Sequence, residues 1–133
     1  MSTPVITNLT KIKIDDRFLE QVIKKATDVA SIKKISDISI VLVDDKKIRQ
    51  INKRYRGKNK PTDVLSFEGL NEIFICPGIV KKQAKKLDVP FKSELARVTI
   101  HGILHLAGYD HERGKKEAEM MAKLEEKILN NLT

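Results

Sequence analysis

All three histidines of the chain fall within eleven residues, His101-Gly102-Ile103-Leu104-His105-Leu106-Ala107-Gly108-Tyr109-Asp110-His111. Imidazole is the commonest metal ligand among side chains, and the spacing H-x3-H-x5-H suits three ligands on one ion. The residues before them, Ser93 to Ile100, read as helix, with Leu95, Val98 and Leu104 at helical intervals. His101 and His105 then share a face, about one turn or roughly 5–6 Å apart. From there each reaches an ion at the Zn–N distance of about 2.0–2.1 Å. A continuous helix would carry His111 about 15 Å past His101, so the helix must stop. Gly108 is placed to stop it, because glycine adopts the left-handed conformation that ends helices. The stretch thus supplies two ligands, a breaker and a third ligand.

Three protein ligands leave a fourth position for water, as catalytic zinc requires. The same spacing occurs in metzincin peptidases, H-E-x-x-H-x-x-G-x-x-H. Here Gly102 stands where their general-base glutamate would be, which disfavours peptide hydrolysis. The competing reading is a closed structural zinc site with Cys76, the sole cysteine, as fourth ligand.

A second stretch has unusual charge. From Lys46 to Lys60 there are eight basic residues and no acidic one, equal to the whole net excess of +8. Such density suits phosphate backbones; the plainer reading is a solvated, lysine-rich helix face. The 133 residues, 41% hydrophobic and 33% charged, predict a single domain over 1–133. No apolar run approaches the roughly 20 residues of a membrane span, and Met1 to Leu9 do not read as a secretory signal. One cysteine excludes an internal disulfide and fits a cytoplasmic location.

The elements that must position these residues follow from patterning. Val5-Ile6 and Lys11–Ile14 read as short β pieces. Asp15 and Asp16 cap a helix with Phe18, Leu19, Val22, Ile23, Ala26, Val29 and Ala30 in period. Ile38–Val43 reads as a central buried strand, and Asp44-Asp45 start a second helix that turns Ile48 and Ile51 inward and closes at Gly57. Asp63–Phe67 and Ile73–Cys76 form a hairpin, and Ile79, Val80, Ala84 and Leu87 mark a third helix. After the histidines, Ala118, Met121, Leu124 and Ile128 mark a closing helix, the methionines as packing. The expected fold is α+β: a small mixed four-stranded sheet in β-α-β-α-β-β order, packed with helices. The metal site would sit on a C-terminal helix and the turn after it.

The histidine stretch resembles the HGxLHLxGYDH signature of the YbeY family, and Asn52–Phe67 resembles its second signature, around YRGKxxPTDVLSF. Weaker similarity runs from the first strand to the closing helix. The resemblance implies a zinc-dependent endoribonuclease, specific for single-stranded RNA, acting in 16S rRNA 3′-end maturation and ribosome quality control. Its partners would be ribosomal RNA, the ribosomal subunit and ribosome-associated proteins. It assigns one zinc ion per chain to His101, His105 and His111, and an essential role to Arg56. The chain departs from the family in having Asn71-Glu72 where Gly-Asp is usual, and in lacking a proline after Ser66-Phe67.

In that reading zinc activates a bound water or polarises a phosphoryl oxygen while the ribose 2′-OH attacks. Arg56 clamps the phosphate, and Arg54, Lys58 and Lys60 track the backbone. Asp110 either orients a ligand histidine or caps the turn after Gly108. With six aromatic residues, little base stacking is expected. Two rivals remain, a metallopeptidase-like hydrolase and a noncatalytic, zinc-stabilised ribosome assembly factor.

Overall fold

Strand β1 (Val5–Asn8) leads through helix α1 (Asp16–Val29) to β2 (Ser39–Leu42), and helix α2 (Asp45–Arg56) leads on to β3 (Val64–Phe67) and β4 (Glu72–Ile75). Helices α3 (Pro77–Leu87), α4 (Phe91–Leu106) and α5 (Lys115–Asn130) follow. The structure, a computed structural model, describes residues 4–31 and 38–132, including the backbone but not the side chain of His111. The sheet order is β1-β2-β4-β3, with β1/β2 and β2/β4 parallel and β3/β4 antiparallel. This is the expected mixed α+β sheet. Among the described residues no helix is long and apolar enough to cross a membrane.

The local chemistry explains the element ends. Asp15 accepts Phe18 N at 3.1 Å and Asp44 accepts Lys47 N at 2.8 Å, each capping a helix N-terminus. Gly57, at φ +69, ends α2. Between β3 and β4 a 3-10 turn over Glu68–Leu70 and left-handed Asn71 (φ 51) close the hairpin. The expected second β piece at Lys11–Ile14 does not form. Instead the Asn8 side chain accepts Thr10 N at 2.9 Å and donates to Ile12 O at 2.8 Å, folding that stretch into a side-chain-bonded turn. Alternation along Lys11–Ile14 therefore had no strand partner to satisfy it.

Because successive strand residues face opposite ways, the sheet separates two cores. Ile40, Leu42, Ile73 and Ile75 pack with α1, α4 and α5 on one face. Val43, Leu65 and Cys76 pack with Ile48 and Ile51 of α2 on the other. β2 is central and covered on both sides, as its nearly all-apolar run, broken only by Ser39, demands. Helix α4 is buried nearly all round, with Leu95, Ile100, Ile103 and Leu104 in the core and even Glu94 and Thr99 enclosed. It touches β3, α1, α3 and α5, so the histidine stretch is mounted on the most constrained helix of the fold.

Candidate active site

Helix α4 ends where the sequence requires. Gly108 N donates to His105 O at 3.0 Å and Tyr109 N to Leu104 O at 3.1 Å, with Gly108 at φ +96. These paired bonds form a Schellman motif. They satisfy carbonyls that the helix end would otherwise leave open and turn the chain back after His105. Asp110 then caps a 3-10 turn over His111–Arg113, accepting Glu112 N at 2.9 Å. Asp110 therefore caps this turn, and its backbone N–H also donates to Glu117 Oε1 at 3.1 Å.

The two helical histidines face each other, Nε2 to Nε2, at 3.2 Å. Nδ1 of His101 lies 2.8 Å from Glu125 Oε1 on α5. A neutral imidazole that gives its Nδ1 proton to a carboxylate keeps a lone pair on Nε2, and this carboxylate–histidine pairing is the usual outer support of a metal ligand. Two nitrogen ligands of a tetrahedral zinc sit about 3.3 Å apart, close to the observed separation. The two described imidazoles are therefore spaced as two ligands of one ion would be, although no group of three such ligands forms among the described residues. The side chain of His111, the third expected ligand, lies outside the described residues. Its neighbours Asp110 and Glu112 both line the same cleft as His101 and His105.

That cleft, about 300 Å³, runs between the C-terminal end of α2, β3 and α4. Arg56 lines it from the α2 side, so the structure brings Arg56 together with His101 and His105 across 45 residues of sequence. Arg97, one turn before His101, also lines it. Its guanidinium is gripped by the buried Glu94, Nε to Oε1 at 2.8 Å and Nη2 to Oε2 at 2.6 Å. Glu94 raises the Arg97 pKa, with Glu125 and Asp63 adding to the effect.

The remaining basic residues divide. Lys58 and Lys60 lie on the exposed loop after α2, which is tied down by Asn52 Nδ2 donating to Lys60 O at 2.9 Å. Arg54 does not join the cleft. It stands over the Tyr55 ring, 5.5 Å from its centroid, in a separate groove floored by Phe67 and Phe74. On a helix, positions 54 and 56 are about 200° apart, so one face cannot hold both.

Two sequence alternatives gain physical content. A Cβ on Gly102 would stand 3.1–3.2 Å from Ile73 Cγ2, Ser66 Oγ and Val64 Cγ2. Ser66 Oγ also donates to the Gly102 carbonyl at 3.0 Å. Position 102 therefore meets the sheet, and a glutamate there would enter packed side chains. Cys76 sits in the other core, across the sheet from α4, and its Sγ donates to Asp45 Oδ1 at 3.1 Å. Burial, with Asp45 beside it, pushes its pKa up to about 11, which opposes the thiolate a zinc ligand needs. Sequence reading missed Glu125, Glu94 and Arg97. A carboxylate 24 residues after His101 has no spacing signal, whereas Glu94-x-x-Arg97 on a helix is a recognisable i,i+3 pair.

Comparison with known proteins accords with this geometry. A family model described as Endoribonuclease YbeY matches residues 5–133. An Endoribonuclease YbeY of Persephonella marina is 41% identical over 130 residues, covering 90% of this chain and 84% of that protein. Another, from Aquifex aeolicus, is 34% identical, covering 97% and 91%. The solution structure of a Thermotoga maritima protein superposes with a TM-score of 0.64 at 36% identity, over 96% of this chain and 89% of the other. On a family model spanning the fold and relatives matched nearly end to end, this chain belongs to the YbeY endoribonuclease family.

Proposed function

We propose that this chain is a zinc-dependent endoribonuclease that cuts single-stranded RNA during ribosomal RNA processing. The physiological task in this reading is 16S rRNA 3′-end maturation and ribosome quality control in the cytoplasm, with the ribosomal subunit and ribosome-associated proteins as partners. The observation that carries it is the single cleft in which Arg56 faces two histidines whose Nε2 atoms stand 3.2 Å apart. Family membership supplies the substrate class.

His101, His105 and His111 would hold the zinc, which when bound supplies a Lewis acid for the phosphodiester and for water. The chain's own residues do the rest. Glu125 fixes the tautomer of His101 and its ring orientation. Arg56 is permanently charged and planar, and it binds the phosphate and offsets the charge that grows during cleavage. Lys58 and Lys60, on the loop next to Arg56, contact flanking backbone.

A metallopeptidase would need a base, and the position where metzincins carry theirs is packed against β3 and β4. A noncatalytic factor with closed structural zinc would need a fourth ligand, for which Cys76 is on the wrong face of the sheet. Metal analysis joined to cleavage assays tests all three readings. The purified protein is expected to contain one zinc, to cut labelled single-stranded RNA, to stop with chelator and to leave casein intact. Zinc-loaded protein that binds RNA and never cuts it overturns the proposal, as does X-ray absorption showing a sulfur ligand.

A further inference from the structure

Helix α4 presents three cleft-lining residues at intervals of four: Arg97, His101 and His105. Each interval rises about 6 Å and returns to the same face, so the three stand in a row along one wall. The first member of the row has a support that the metal site does not explain. Glu94 is 2% exposed and takes the Nε and Nη2 protons of Arg97, while 43% of the Arg97 side chain stays exposed. Gln83 of α3, in the amide orientation that satisfies both its ends, donates to Glu94 Oε2 at 3.1 Å and to Asp63 Oδ2 at 3.3 Å.

Enclosing a carboxylate is costly unless it is paired and hydrogen-bonded. Here one end of the pair is sealed and the other opens on the cleft. Of the five N–H groups on a guanidinium, two are taken by Glu94 and three bond to no described residue. A planar fork held in one orientation, with donors to spare beside a cleft, is the arrangement that recognises phosphate oxygens.

We propose that Arg97 is a phosphate-binding residue of the RNA track, holding a phosphate next to the scissile one, while Arg56 faces the scissile phosphate from the opposite wall. The proposal rests on the endoribonuclease reading for its substrate. Its position one helical turn from His101 puts it about one backbone step away along an extended strand. Glu94 is a positioning residue, acting through Arg97.

The experiment uses a single-stranded RNA containing one mapped cleavage site, with each phosphate near that site replaced in turn by a neutral methylphosphonate. For the wild-type protein, one flanking replacement should weaken binding on the order of tenfold, with the saturated rate unchanged within about threefold. Two variants are carried in parallel: Arg97→Lys, which keeps a cation on Glu94, and R97Q/E94Q, which replaces the ion pair by neutral amides. At that one linkage the replacement should cost the variants nothing further, whereas at every other linkage the losses should multiply. Losses that multiply at all positions, or variants that bind like wild type, would overturn the assignment. The cycle is read in dissociation constants at equal zinc content and equal melting temperature. RNA left uncut by the wild-type protein would refute the nuclease reading, and the same binding cycle run over every linkage of that RNA would still decide the assignment of Arg97.

Discussion

The two walls of the cleft are built by opposite principles. On the α4 wall the functional groups are held from inside the fold: half-buried Glu125 on His101, buried Glu94 on Arg97, and Gly102 against the sheet. The Schellman bonds fix where the helix stops. On the α2 wall Arg56 lies at an exposed helix end and makes no hydrogen bond or ion pair with a described residue. The loop beyond it is tied by Asn52 to Lys60 and by Arg49 Nε to Asn59 Oδ1 at 2.9 Å. The contrast teaches a division of labour. Ligands for an ion must be fixed to a fraction of an ångström, and burial does that. A side chain that meets a flexible RNA phosphate works from a helix end, where long rotamers stay available.

If the walls differ in this way, changes to them should separate cleanly. Arg56→Ala should lose on the order of 100- to 1,000-fold in single-turnover RNA cleavage, with zinc content and melting temperature unchanged. Rates within about threefold of wild type at equal zinc would remove Arg56 from the mechanism. On the other wall, Gly102→Glu should cost roughly 3 kcal/mol or more of folding stability, because it overpacks the helix–sheet contact and buries a charge. Denaturant unfolding reads this directly, and a variant as stable as wild type would mean that α4 can lift from β3.

Glu125→Ala should weaken zinc binding by about 10- to 100-fold without moving the dissociation constant for RNA, as measured by competition with a chromogenic chelator. The smallest effect belongs to the core behind the α2 wall. The folded-state pKa of Cys76 is raised from 9.0 to about 11, so its contribution to stability is complete below pH 9. Between the two values the unfolded chain gives up the proton first, and stability falls with a slope of at most ~1.4 kcal/mol per pH unit. Cys76→Val should flatten that part of the alkaline stability profile, and superimposable profiles would show that the thiol does not couple to folding.

Much of this molecule was legible in one dimension because its signals are local. Caps at Asp15 and Asp44, the helix stops at Gly57 and Gly108, and the largely apolar run of β2 each depend on a few adjacent residues. The i,i+4 relation of His101 and His105 follows from helical period alone. Lys11–Ile14 failed as a strand because alternation needs a partner, and the Asn8 side chain offered that backbone a nearer one.

What the sequence by itself determined is therefore the helix that carries His101 and His105, the place where it ends, and the helix that carries Arg56. Only the tertiary structure decided which side of each helix the cleft would use. Packing of α2 against Val43 and Leu65 turned Arg56 toward His101 and left Arg54 with Tyr55 in another groove. Packing of α4 against the sheet made Gly102 a contact point, and docking of α5 brought Glu125 to His101 from 24 residues away. Helical period is fixed by backbone hydrogen bonds between near neighbours, whereas the rotation of one helix against another is fixed by side chains distant in sequence.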